Sequence, residues 1–147
     1  MNAASSTGKI AVASDHAGYD MKEFIKAELA ARGYDVLDLG CHDTSSVDYP
    51  DFGHAMGKAI DTGDAGRGVI VCGSGIGISI AANRHAGVRA ALCTSGLMAR
   101  LSRQHNDANV LALGSRLIGE SVAIDCLDEF LGTEFEGGRH QGRVDKI

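Results

Sequence analysis

Five short apolar runs, each followed by a helical pattern, constrain the fold of this chain more than any other feature. Strands that alternate with helices build βαβ units and a parallel sheet. The runs cover residues 9–13, 36–39, 68–72, 88–93 and 110–113. Helices are expected at 19–32, where Met21, Phe24, Ile25 and Leu29 share one face, and at 49–60. Three more follow: from the glycine-rich run to Asn83, from a Thr94 or Ser95 cap to about His105, and over 121–131. Gly33 suits the stop of the first helix, and Asp48, two residues before Pro50, is the candidate cap of the second. The expected fold class is α/β: a single-domain, three-layer, Rossmann-like sandwich on a five-stranded parallel sheet with right-handed crossovers.

Two strand orders fit such a sheet, 2-1-3-4-5 and 3-2-1-4-5. In the first, the loops after strands one and three meet at the topological switch point, where open α/β sheets bind ligands. Those loops hold the most unusual residues of the chain, Ser14 to Gly18 (SDHAG) and Cys72 to Gly77 (CGSGIG). The order 2-1-3-4-5 is therefore expected.

At 147 residues the chain has the size of one domain and buries enough surface for a full core without staples. No repeat or composition break divides residues 9–131, which are expected to form the domain. Residues 1–8 are small and polar, without the apolar core of a signal peptide, and are expected to be a disordered leader. Residues 132–147 are a polar tail rich in Gly, Arg and His, with too little apolar content to fold alone, so the tail dangles or lies on the core or a partner subunit.

The net charge of −5, from 19 acidic and 14 basic residues, speaks against nucleic acid and anionic membranes as partners, so any anion site is local. No stretch is long and apolar enough for a membrane span. Cys41, Cys72, Cys93 and Cys126 form no C-x-x-C pair, which argues against structural zinc and for a reduced, cytoplasmic protein with free thiols. No metal site and no cofactor are expected.

The chemistry concentrates in a few places. Gly73, Gly75 and Gly77 alternate between a strand and a helix, so the backbone turns sharply and can approach a ligand. The N–H groups there favour a phosphate or a developing oxyanion. A tight turn without ligand needs only one glycine. The spacing G-x-G-x-G after strand three departs from the dinucleotide fingerprint, and Ile78 stands where a cysteine-phosphatase loop needs arginine. Cys72 opens the loop, where a thiol is expected to ionise below its usual ~8.5 and act as nucleophile or base. The other three thiols read as small buried hydrophobes.

Asp15 and His16 close strand one, where they suit proton transfer or sugar hydroxyls; the plainer roles are a helix cap and a surface imidazole. His105 ends the fourth helix, where the helix dipole favours a cation, beside Asn106. Arg116, after strand five, and Arg139 and Arg143 in the tail offer forks matched to phosphate, or are solvated surface charge.

From Cys72 to Asn83 (CGSGIGISIAAN) the chain resembles the type B ribose-5-phosphate isomerase family, which also includes galactose-6-phosphate and allose-6-phosphate isomerases. Matching segments run in order along nearly the whole chain: Ser14 to Gly18, Asp48-Tyr49-Pro50, Leu101 to Asp107 (LSRQHND), Leu113 to Arg116 (LGSR) and Glu136 to Arg143 (EGGRHQGR). The resemblance implies metal-free interconversion of ribose 5-phosphate and ribulose 5-phosphate in the pentose phosphate pathway. It also implies the 2-1-3-4-5 sandwich and sites between the subunits of a homodimer or homotetramer. In that pattern Cys72 is the general base; the glutamate of a second subgroup falls at Ile78, which cannot accept a proton. His105 opens the sugar ring and Asp15 holds sugar hydroxyls. The N–H groups of Gly73, Ser74, Gly75, Ile76 and Gly77, with the Asn106 amide, stabilise a cis-enediolate. His16, Arg116, Arg139 and Arg143 resemble the phosphate ligands, and Tyr49 a sugar contact. The alternatives are a hexose-6-phosphate isomerase of the same family and a non-catalytic sugar-phosphate binding module.

Overall fold

The computed structural model describes residues 8–147, so the leader lies outside the described residues except for Gly8. Five strands, β1 (Lys9–Ser14), β2 (Asp35–Asp38), β3 (Arg67–Cys72), β4 (Ala90–Leu92) and β5 (Val110–Gly114), form one parallel sheet. The helices are α1 (Tyr19–Ala31), α2 (Tyr49–Thr62), α3 (Ile76–Ala82), α4 (Gly96–Asn106), α5 (Glu120–Gly132) and α6 (Arg139–Val144).

The period of two along each strand creates the three layers. Ile10, Val12, Val69, Val71, Leu111 and Leu113 face one core with α1, α4 and α5, which contribute Ile25, Leu29, Ala99, Leu127 and Phe130. The intervening Ala11, Ala13, Ile70, Cys72, Val110 and Ala112 face the other core, with Met56 of α2 and Ile78 of α3. The Cys72 side chain is thus placed on the α2–α3 side of the sheet.

The strand order is β2-β1-β3-β5-β4, which corrects the expected 2-1-3-4-5 by exchanging its last two places. Burial explains it. All five residues of β5 are buried, as an inner strand requires, whereas the three residues of β4 are half-buried and suit an edge. The chain therefore skips one place after β3 and returns inward with β5.

Local signals behave unevenly. Ser95 caps α4, its Oγ accepting from Met98 N–H at 3.2 Å. Asp48 sits at the cap position of α2 but makes no side-chain capping bond. The tail carries an element that its composition did not suggest, α6. It is held to α4 at its approach: Glu136 N–H donates to Gln104 C=O, and Arg103 Nε–H donates to Thr133 C=O. Lys22 is fully buried on α1, an unexpected place for a lysine. It is held by Asp38 at 2.8 Å and Glu23 at 3.0 Å. Burial alone would raise the Asp38 pKa, but hydrogen bonds from Lys22 and Lys26 and the Gly40 N–H outweigh it and hold the carboxyl at about 2.

Candidate active site

A cleft of about 650 Å³ opens at the carboxyl ends of β1, β3 and β5, at the switch point. Asp15, His16, Tyr49, Cys72, Gly73, Ser74, Ile76, Gly77 and Arg116 line it. Most of the candidate residues therefore meet in one place, from four separate segments of chain.

The glycine loop is shaped around the thiol. Gly75 has φ +76°, a left-handed conformation that only glycine adopts cheaply, and it turns its N–H back onto Cys72 Sγ at 3.1 Å. Ile76 N–H is held by Ser74 Oγ at 3.1 Å. Two of the five N–H groups expected to face an oxyanion are therefore engaged within the loop. Gly77 serves a different purpose. A Cβ there would lie 2.4 Å from the Tyr49 ring, so the missing side chain makes room for Tyr49 over the cleft. Cys72 itself is buried, only 4% exposed. Burial pushes the Cys93 thiol up to about 12 and the Cys126 thiol to about 11, which leaves both inert at neutral pH. Buried Cys41 donates to Asp43 C=O at 3.2 Å.

Asp15 takes on part of its plainer role: Oδ1 accepts from Gly18 N–H at 3.0 Å and shapes the turn into α1. The carboxylate still lines the cleft. His16 Nδ1 accepts from Val47 N–H at 3.1 Å, which fixes the ring. Arg116 reaches the cleft because β5 neighbours β3. Ser115 N–H donates to Cys72 C=O and Arg116 N–H to Gly73 C=O, both at 2.9 Å, so the two loops are tied together.

His105, Asn106, Arg139 and Arg143 do not join this cleft. Helix α4 runs back across the sheet, so its C-terminus lies beside the starts of β4 and β5. There Asn109 N–H and Val110 N–H donate to Arg89 C=O. The length of β5 separates this end from Cys72, which pairs with Gly114 at the far end of that strand. Four rises along it amount to about 13 Å. Proton transfer needs contact at about 3 Å, so His105 and Cys72 of one chain cannot share a substrate's reacting carbons.

The far end carries its own constellation. His105 stacks on His140, with ring centroids 4.5 Å apart and planes 17° from parallel. Glu136 Oε1 lies 3.4 Å from His140 Nε2. Burial first, then the charges of Arg139 and His105, lower the His140 pKa, while Glu136 opposes them. Arg139 and Arg143 are exposed, four residues apart on α6 and so on one face, and among the described residues neither makes an ion pair. The sequence pattern assigns no role to Glu136 or His140; their i, i+4 spacing beside Arg139 is the one signal that could have singled them out. A second missed group joins His54 Nδ1 to His85 Nε2 at 2.8 Å, with Asp61 3.5 Å from the other His85 nitrogen.

A parallel Rossmann-like sandwich with a thiol-bearing cleft at its switch point defines an α/β protein built to hold a small ligand. Residues 10–147 match the family model described as Ribose/Galactose Isomerase. The chain belongs to that family. It is 47% identical over 139 residues to ribose-5-phosphate isomerase B of Escherichia coli, covering 95% of this chain and 93% of that one. Superposition on Clostridium thermocellum ribose-5-phosphate isomerase B gives a TM-score of 0.93 at 54% identity, covering 95% of this chain and 94% of that one. Mycoplasma genitalium ribose-5-phosphate isomerase B with bound ribulose-5-phosphate gives 0.88 at 44% identity, covering 95% and 93%. Among the described residues, no helix is long and apolar enough to cross a membrane.

Proposed function

We propose that the chain interconverts ribose 5-phosphate and ribulose 5-phosphate, in sites shared by two copies of itself. The observation that carries this reading is the separation of two half-sites. Cys72, Asp15, His16 and Arg116 stand at one end of the sheet, and His105, Asn106, Arg139 and Arg143 at the other. A two-fold dimer that joins the cleft of one copy to the far end of the next completes both sites at once. Exposed Ile76 and Ile80 on α3 and Leu97, Met98 and Leu101 on α4, beside the edge strand β4, supply an apolar face for such a dimer.

The partner subunit's His105 opens the furanose ring by moving a proton between the hydroxyl and the ring oxygen, while Asp15 holds sugar hydroxyls. Cys72, as thiolate, takes the proton from C2 of the aldose. The Gly75 N–H on Sγ is the donor a thiolate accepts well. The negative charge of the cis-enediolate then rests on the free N–H groups of the glycine loop and on the partner subunit's Asn106. A proton passes from O2 to O1 of the enediolate, and Cys72 returns its own proton to C1, which leaves C2 as the carbonyl. His16 and Arg116, with the partner subunit's Arg139 and Arg143, hold the phosphate.

Incubation with ribose 5-phosphate in heavy water tests the reaction. The unaltered chain should yield ribulose 5-phosphate carrying deuterium, and Cys72→Ala should lose both signals. Absence of turnover by the unaltered chain under reducing conditions refutes the reading. Faster turnover of allose or galactose 6-phosphate would instead assign a six-carbon substrate.

A further inference from the structure

We propose that Asp107 and Arg103 are positioning residues of the isomerase. Together they hold the end of α4, with His105 and Asn106, and the tail, with Arg139 and Arg143, as one half-site presented to a partner's cleft. The assignment rests on the dimeric isomerase reading above.

Two observations carry it. The first is the turn that ends α4. Asp107 has φ +48°, and among the described residues it is the only one besides glycines with a left-handed backbone. Glycine ends a helix in this way freely, whereas aspartate does so at a cost. A residue held against its preference points to work done by its side chain. Here two guanidiniums take the carboxylate: Arg103 Nη1 donates to Oδ1 at 2.9 Å and Arg89 Nη2 to Oδ2 at 3.4 Å. Arg89 Nε also donates to Asp107 C=O at 2.9 Å. Arg89 immediately precedes β4, so Asp107 is pinned to the sheet. His105 and Asn106 are the two residues before it, and the direction in which they leave the fold follows from where Asp107 is fixed.

The second is the reach of Arg103, whose side chain is only 13% exposed. Besides Asp107, its Nη1 donates to Ala108 C=O at 2.6 Å, and its Nε donates to Thr133 C=O at 3.1 Å. Thr133 follows α5 and opens the tail. One planar fork therefore joins the helix end that carries His105 to the segment that carries Arg139 and Arg143. The joint continues through Glu136 N–H on Gln104 C=O and the stack of His140 on His105. The single nitrogen of a lysine cannot span these acceptors. The two residues thus divide the work. Asp107 serves His105 and Asn106, whose part is chemical. Arg103 serves these and also the arginines that bind phosphate. Loss of the carboxylate should lower kcat alone, whereas loss of the fork should lower kcat and raise KM.

Steady-state turnover of ribose 5-phosphate by the full chain tests the assignment. Asp107→Gly keeps the left-handed turn and removes the carboxylate; its kcat should fall at least about tenfold, with KM changed less than about twofold. Asp107→Asn, whose amide oxygen still accepts from Arg103, should recover part of that loss. Arg103→Lys should lose at least about tenfold in kcat and gain at least about fivefold in KM. Arg32→Lys, which loosens the comparable joint of α1 to α5, should turn over at the unaltered rate whatever its urea midpoint. Pairing separates positioning from general damage. Arg103→Lys harms only the site its partner completes, so refolding it with Cys72→Ala should recover about one quarter of unaltered activity, and refolding it with His105→Ala should recover nothing. Unaltered kcat in Asp107→Gly or Arg103→Lys, or recovery with His105→Ala instead of Cys72→Ala, overturns the assignment. If Arg103→Lys does not fold, Asp107→Gly decides by the same measures. An unaltered chain without turnover refutes the isomerase reading and this assignment with it. Turnover without recovery between Cys72→Ala and His105→Ala refutes the shared site, and the kcat and KM values then decide the positioning.

Discussion

Mixing two inactive chains should restore activity. Cys72→Ala removes the base from one end of the sheet, and His105→Ala removes the ring-opening group from the other. In one chain the length of β5, about 13 Å, separates the two ends that carry these groups. If each site takes Cys72 from one copy and His105 from the other, a mixed dimer contains one doubly damaged site and one intact site. Random pairing of equal amounts makes about half of the dimers mixed, so the mixture should recover about one quarter of unaltered activity. Each variant alone should fall at least about a hundredfold, the usual contribution of a positioned acid or base. The assay is turnover of ribose 5-phosphate after the two chains are denatured together and refolded, against each chain refolded alone. Recovery that follows the product of the two chains' fractions, peaking at equal proportions, is the signature of pairing. A mixture no more active than its components would refute the shared site, provided mixed dimers are detected by mass. Residual sites would then have to use groups from a single end.

Three further outcomes follow from particular contacts. Gly75→Ala should cost about 1–3 kcal/mol in urea denaturation, because φ is +76° and its Cβ would meet the Leu113 backbone at 2.8 Å; Gly77→Ala, which displaces only the movable Tyr49 ring, should raise KM with little loss of stability. Leu97→Glu on the exposed start of α4, outside the cleft, should give a folded monomer by ultracentrifugation that turns over poorly; an active monomer would refute the dimeric site. The Asp38 carboxyl is held at about 2, below its ordinary 3.8, so its contribution is present above pH 4 and lost as pH falls through 2. That contribution is about 2 kcal/mol, and Asp38→Asn should remove this part of the acid dependence while lowering stability at pH 7, since Lys22 is fully buried.

The alternation of strand and helix was legible because both periods are carried by apolar residues that the core requires. Edge and centre were harder to read. The run at 88–93 includes Arg89 where the run at 110–113 is wholly apolar, a faint sign of an edge, and burial then separates the half-buried β4 from the fully buried β5. Lys22 was invisible for a related reason. It lies beside Met21 on a helix, and the approach of Asp38 from β2, together with Glu23, makes its burial tolerable. The cleft was readable because glycine, thiol and carboxylate sit on strand ends, where topology alone brings them together. The His105, Glu136 and His140 group was not, because it depends on how the tail turns back onto α4.

The strand order decides what the cleft can hold. With β5 beside β3, the backbone of Ser115 and Arg116 bonds directly to that of Cys72 and Gly73, and a guanidinium enters the thiol's cleft. With β4 in that place, Arg116 would stand one strand spacing farther, about 4.8 Å, and the tie between the two loops would be lost. The same arrangement leaves β4 at the edge, flanked by the exposed apolar residues of α3 and α4. One topological choice therefore gathers one group of candidate residues and exposes the face through which, on the proposed reading, a second copy supplies the others. The tail then has a physical reason to fold on α4: it carries Arg139 and Arg143, which make no ion pair among the described residues, to the end of the sheet that a partner's cleft would meet.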